Sequence, residues 1–285
     1  IWKECLKYLN FKEGVEMVHT SDLPAMSGLG SSSAFTVGFL NSLYGLRGMT
    51  IDKTKLALEA IHVEQNLIKE NVGSQDQIVT AIGGLNYITF DSSGIRINPL
   101  NINPKRLKDL EDRILLFFTG FVRNASDIVA EQIKNTYEKT AELNEMMSLT
   151  NKVKEVLRSN QNLDEFGILL DKAWRIKRTL SSKITNPYID EIYQTAKAEG
   201  ALGGKLLGAG SAGFMIFYAR PEKPPAIKKE LANILNVPFK FENEGTQTIY
   251  KSPDLIYETP DLKSGNENFS KDIDMKIVNE PAQFT

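Results

Sequence analysis

Hydrophobic and polar positions follow two periods along this chain, and each period marks out its own elements. From Ser31 to about Leu46 the apolar residues Ala34, Val37, Leu40 (or Phe39) and Leu43 recur every three or four positions, which is one face of a helix. A second stripe of Leu56, Ala60, Val63 and Leu67 follows Asp52, whose carboxylate suits a helix start. Longer helical stretches are predicted over about 126–158 and 164–180. Asn186-Pro187 predicts another start, because proline at the first helical position gives up no needed hydrogen bond, and Gly200 predicts its left-handed end. Short helices fit 2–9 and 225–235. Short apolar runs predict strands at 15–18, 85–90, 114–118, 205–207, 214–218 and near 239–241, with a turn at Ser92-Ser93-Gly94. The patterns mix without strict strand–helix–strand alternation, so the predicted class is α+β. A boundary between 110 and 120 gives a first domain over 1–112 and a second over 113–250. Residues 251–285 carry Pro253, Pro260 and Pro281 with few large apolar side chains and read as a polar tail or extension.

Composition narrows the chemistry. Hydrophobic residues are 41% and charged residues 25% of 285 positions, enough apolar material for a sizeable core. One cysteine, Cys5, excludes a disulfide within the chain, and two histidines, His19 and His62, make a zinc site of the usual ligands improbable. A reduced, cytoplasmic setting is the expectation. The net charge of −2 argues against broad electrostatic binding of nucleic acid. No apolar run approaches the roughly 18 residues of a membrane helix, so no membrane partner is expected.

Three stretches carry candidate chemistry. In Pro24-Ala25-Met26-Ser27-Gly28-Leu29-Gly30-Ser31-Ser32-Ser33-Ala34, glycines permit a tight turn and the serines open a helix. Free N–H groups there favour an anion, and serine hydroxyls can bind phosphate or Mg²⁺. The plainer reading is a glycine turn with a serine cap. Ser32 does not make a nucleophile elbow, since the second glycine is missing. Gly73-Ser74-Gln75-Asp76-Gln77 places a carboxylate in a polar turn after the helix that bears Glu64. Asp76 could accept a proton from a hydroxyl and Glu64 could reach a metal, or the two could be a cap and a solvated charge. Gly208-Ala209-Gly210-Ser211-Ala212-Gly213 matches the dinucleotide fingerprint in letters only, because a strand rather than a helix follows. Nor do residues 200–205 make a P-loop, since Leu206 stands where Ser or Thr is required. A glycine loop between strands remains, able to approach a phosphate or the first glycine turn.

In this order the three stretches, with Lys205 and Phe214 flanking the last, resemble the GHMP family of small-molecule kinases over roughly residues 10–250. Thr119-Gly120, Arg123-Asn124-Ala125-Ser126, Trp174, Lys177-Arg178 and Asn186-Pro187 resemble its heptose 7-phosphate and fucose kinase branch. The resemblance implies a two-domain α+β fold with ATP and substrate in the cleft between domains. It implies an ATP-dependent sugar 1-kinase that converts D-glycero-D-manno-heptose 7-phosphate to the 1,7-bisphosphate on the way to nucleotide-activated heptose, with ATP and Mg²⁺. Residues Gly28, Leu29, Gly30, Ser31, Ser32 and Ser33 would wrap the ATP phosphates, with Gly208, Ala209 and Gly210 beside them. Ser32 and Glu64 would hold Mg²⁺, Asp76 would take or orient the proton of the attacking hydroxyl, and Gln75, Arg123 and Lys177 would meet the substrate. Two departures stand out. The Glu64-to-Asp76 spacing is one residue longer than in mevalonate-type members, and Ser211-Ala212 replaces glycines.

A sugar phosphate needs cationic contacts, for which Arg123, Lys177, Arg178 and Lys183 are candidates. Two other readings stay open: a fucose or other neutral-sugar 1-kinase, and a non-catalytic member that binds sugar or nucleotide. The family's first strand and its glycine-rich substrate loop find no match here. The chain is therefore expected to lack the first strands of the N-terminal domain, to have an open sheet edge, and to be poorly active alone.

Overall fold

The structure, a computed structural model, describes residues 1–121 and 126–252. They form two compact units that interleave in sequence. One comprises Ile1–Thr20, Ser32–Pro99 and residues 242–252; the other comprises Ser21–Ser31 and Leu100–Phe241.

The first unit holds helices α1 (Trp2–Tyr8), α2 (Ser31–Leu46, from Ser32 on), α3 (Lys53–His62) and α4 (Gln75–Ile82), and an antiparallel hairpin of β1 (Asn86–Asp91) and β2 (Gly94–Pro99). Its core joins Val37, Leu40 and Leu43 of α2 with Leu56, Ala60 and Ile61 of α3, Ile78 of α4 and Ile95 of β2. Asp52 caps α3 as its position predicts, its Oδ1 accepting the N–H groups of Thr54 at 2.9 Å and Lys55 at 3.1 Å. Beyond His62 the helix widens into a π turn over Val63–Leu67. That turn takes up one residue more than an α turn, so the apolar stripe loses phase: Val63 is buried but Leu67 is turned outward. Ala34 is likewise exposed, and α2 buries Ser33 and Thr36 instead. Residues 15–18, expected as a strand, are irregular, because no strand among the described residues pairs with them. Residues 242–252 return to α4, with the N–H groups of Gly84 and Thr246 bonded to the carbonyls of Glu242 and Thr80, each at 2.9 Å.

The second unit is a four-stranded antiparallel sheet covered by helices. The strand order is β4 (Ala201–Leu206), β5 (Phe214–Ala219), β3 (Ile114–Phe118), β6 (Leu235–Asn236). Its helices are α5 (Pro104–Glu111), α6 (Ser126–Asn135), α7 (Thr140–Arg158), α8 (Asp164–Arg178), α9 (Pro187–Ala198) and α10 (Pro224–Glu230). Trp174, Phe117, Phe217, Met215, Ile189 and Ile192 form its centre. Asn186 caps α9 through the Ile189 N–H at 3.0 Å, with Pro187 in the first turn. Strand β4 begins earlier than its apolar letters suggest. A Cβ at Gly203 would run into the Gly167 carbonyl of α8, so this strand needs glycine where the helix backbone lies against it.

Other expectations need correction. The stretch 126–158 is two helices, because Ile128 of α6 serves the sheet core while Leu149 and Val156 of α7 pack with Leu169 of α8 in a separate cluster. The last strand is β6 rather than 239–241; Phe239 and Phe241 meet edge to face at 5.8 Å instead. Strand β2 and helix α5 were not expected at all. Of the 251–285 tail, residues 253–285 lie outside the described residues. The α+β class stands. No helix among the described residues is long and apolar enough to cross a membrane.

Candidate active site

Within the second unit the two glycine turns touch backbone to backbone. A Cβ at Gly28 would lie 3.0 Å from the Leu207 carbonyl oxygen, and one at Gly208 only 2.6 Å from Gly28 Cα. Gly28, Gly30, Gly208 and Gly210 all have positive φ, at 81°, 71°, 68° and 134°. The backbone N–H groups of Gly28, Leu29, Gly30, Gly208, Ala209 and Gly210 have no acceptor among the described residues. Rows of unpaired N–H groups in such turns are anion-binding concavities. Ser27, 1% exposed, has an orphaned hydroxyl in the same place. Ser31 braces the turn, its Oγ accepting the Met26 N–H at 3.3 Å. Ser211 holds φ 65° without being glycine, because its N–H, Oγ and carbonyl are bonded to Ile184, Lys183 and Asn186.

The first unit carries the carboxylates. Glu64, fully buried, sits in the π turn. Its oxygens accept the hydroxyls of Ser33 at 2.9 Å and Thr36 at 2.6 Å and the Gln77 side-chain amide. These donors are neutral, and no cation pairs with Glu64 among the described residues. Asp76 follows in the first turn of α4, exposed and without a hydrogen-bond partner among the described residues. Partial dehydration in crowded surroundings, and then the Glu64 charge, raise its pKa above the ordinary carboxylate value. An unpaired, perturbed carboxylate of this kind is what a general base requires.

The three serines therefore have different surroundings. Ser31 braces the loop and Ser33 braces Glu64. Ser32 is half-buried, and its hydroxyl has no partner among the described residues. Gln75 is exposed beside Asp76. Lys177 is not a surface charge: it is 9% exposed, and its Nζ donates to the carbonyls of Leu206 at 3.2 Å and Gly208 at 2.5 Å. Burial, and then Lys205, push its pKa down to about 7. Arg178 is paired with Asp190 at 2.9 Å and Lys183 with Glu131 at 3.0 Å, so neither is a free cation. Arg123 lies outside the described residues.

The GHMP kinases N terminal domain matches residues 1–84 and the GHMP kinases C terminal domain residues 152–236. D-glycero-alpha-D-manno-heptose 7-phosphate kinase of Campylobacter jejuni is 32% identical over 240 residues, 81% of this chain and 70% of that protein. The chain belongs to the GHMP kinases. A bifunctional fucokinase/GDP-fucose pyrophosphorylase of Arabidopsis thaliana is 26% identical over 76% of this chain but only 21% of its own length. The crystal structure of a D-glycero-D-manno-heptose 1-phosphate kinase from Bacteroides thetaiotaomicron shares the fold, with a TM-score of 0.62 at 24% identity over 79% of this chain and 64% of that one. The chain thus spans about two thirds of that structure's length.

The Mg²⁺ implied for GHMP kinases fits these residues. Ser32 and Glu64 supply only oxygen, the donor type that ion prefers, and Glu64 is a buried carboxylate held by neutral groups alone. No group of three or more His, Cys, Asp or Glu gathers among the described residues. Sequence reasoning missed Thr36 and Gln77, which with Ser33 form the Glu64 cage. Their signal was available: Ser33 and Thr36 are polar at helical spacing on an otherwise apolar face, and Gln77 adjoins Asp76.

Proposed function

We propose that this GHMP kinase transfers the γ-phosphoryl group of ATP to the anomeric hydroxyl of D-glycero-D-manno-heptose 7-phosphate. The products are ADP and the 1,7-bisphosphate, an intermediate suited to making nucleotide-activated heptose. The observation that carries the reading is Asp76, an unpaired carboxylate of raised pKa beside the caged Glu64. The choice of sugar is supported by the 32% identity to the Campylobacter enzyme.

In this mechanism the hydroxyl oxygen attacks the γ-phosphorus, the bond to ADP breaks, and Asp76 takes the hydroxyl proton. The unpaired N–H groups of the two glycine turns receive phosphate oxygens and stabilise charge that grows in the transition state. Ser32 and Glu64 would hold Mg²⁺, which supplies charge neutralisation when bound. Ser33, Thr36 and Gln77 fix the direction of Glu64.

The fucokinase similarity favours a second reading, a neutral-sugar 1-kinase. An ATP-consumption screen over the heptose 7-phosphate, fucose and related sugars, with NMR assignment of the phosphorylated carbon, separates the two. Turnover of the heptose phosphate at its anomeric position is expected. Turnover of fucose without turnover of any sugar 7-phosphate refutes the assignment, and no ATP-dependent turnover at all refutes both.

A further inference from the structure

The carbonyls of the loop between β4 and β5 are held from behind. Lys177 of α8 donates to the carbonyls of Leu206 at 3.2 Å and Gly208 at 2.5 Å, and Gln132 of α6 donates its side-chain amide to the Ala209 carbonyl at 3.1 Å. In a trans peptide the C=O and the following N–H point in opposite directions, and no peptide described here is cis. Drawing the Gly208 carbonyl toward Lys177 therefore turns the Ala209 N–H away from it. Drawing the Ala209 carbonyl toward Gln132 turns the Gly210 N–H away in the same manner. Both N–H groups have no acceptor among the described residues.

We propose that Lys177 and Gln132 are positioning residues that aim the Ala209 and Gly210 N–H groups into a phosphate-accepting nest. They act through the loop rather than by touching the phosphate. This rests on the kinase reading and goes beyond it, because Gln132 belongs to none of the three motifs and Lys177 was expected to meet the substrate directly. The surrounding charges agree. Asp171 of α8 is engaged by Arg175, Lys197 and Tyr193, and Asp190 of α9 by Arg178 and Thr185. No carboxylate pairs with Lys177, or with half-buried Lys205 beside it, among the described residues.

The test is calorimetric binding of ADP and of pyrophosphate to the full chain and to Gln132→Met, Lys177→Met and Lys177→Arg. Gln132→Met removes the donor at a half-buried site, so the fold is expected to survive and its melting temperature to hold. Both methionine variants are expected to bind either probe about tenfold more weakly, the effect of one misdirected hydrogen bond. Lys177→Arg should restore affinity to within about threefold of the original, since it keeps a charged donor. A folded Gln132→Met that binds both probes as tightly as the original overturns the proposal. So does Lys177→Arg binding as weakly as Lys177→Met. Pyrophosphate binding without ADP binding, still weakened in the variants, sinks the kinase reading and leaves the nest standing.

Discussion

Replacing Gly208 by alanine probes the contact of the two glycine turns. The new Cβ would lie 2.6 Å from Gly28 Cα and 3.1 Å from the Gly28 carbonyl oxygen, where ordinary contact begins at 3.4 Å. One turn must therefore retreat by close to an ångström. The variant also keeps a φ of 68°, a left-handed conformation that costs a non-glycine residue about 1–3 kcal/mol. Misplacement by about 1 Å of groups that position a reaction can cost about 10²-fold in rate. Gly84→Ala separates the two effects. Its φ is 73°, but its nearest contact, the Asn243 carbonyl, is an ordinary 3.8 Å away. Both variants should melt a few degrees lower, at about 2–4 °C per kcal/mol. Only Gly208→Ala should lose about 10²-fold in kcat/KM, measured by ADP release with heptose 7-phosphate. Equal kinetic losses in the two variants, or full activity in Gly208→Ala, would refute the view that close approach of the turns serves phosphoryl transfer.

Three further outcomes are expected. Asp76→Asn should lower kcat by about 10²–10⁴, while stability at pH 7, read by urea unfolding, should hold or rise, since the side chain has no hydrogen-bond partner among the described residues and its charge is disfavoured in the fold. Thr36→Val removes a hydroxyl from buried Glu64 and should cost about 1–3 kcal/mol of stability in the same measurement. Glu59 is 2% exposed, and burial raises its pKa from 4.5 to about 7 despite hydrogen bonds from Tyr44. The folded state then holds a proton that the unfolded chain has released, so stability falls as pH rises from 4.5 through 7, by about 3 kcal/mol from this group. Glu59→Gln should flatten that slope in unfolding curves at pH 5 and pH 8, and an unchanged slope would remove Glu59 as its source.

Much of the fold was legible in local patterns. The Val37–Leu43 part of the α2 stripe, the Asp52 and Asn186 caps and the apolar run of β3 depend on near neighbours in sequence, and each appears where the sequence puts it. So does the rejection of a dinucleotide fingerprint, because β5 is a strand. The exposed Leu67 was not legible, since one extra residue in a π turn shifts phase without any marker residue. Nor was the length of β4, whose glycines are there for the backbone of α8.

The sequence by itself determined the family, the α+β class and the three stretches that hold the candidate chemistry, because turn glycines, helix starts and apolar periods are local properties of the chain. Only the tertiary structure decided which member of each stretch is free to act. Three adjacent serines have the same letter, yet Ser31 braces a loop, Ser33 holds a buried carboxylate and Ser32 alone of the three has a hydroxyl with no partner among the described residues. Lys177, a candidate substrate contact in the sequence, is bonded in the fold to two loop carbonyls. Which partner a polar group finds depends on residues dozens of positions away, and burial and pKa follow from that partner rather than from the residue's own neighbours in sequence.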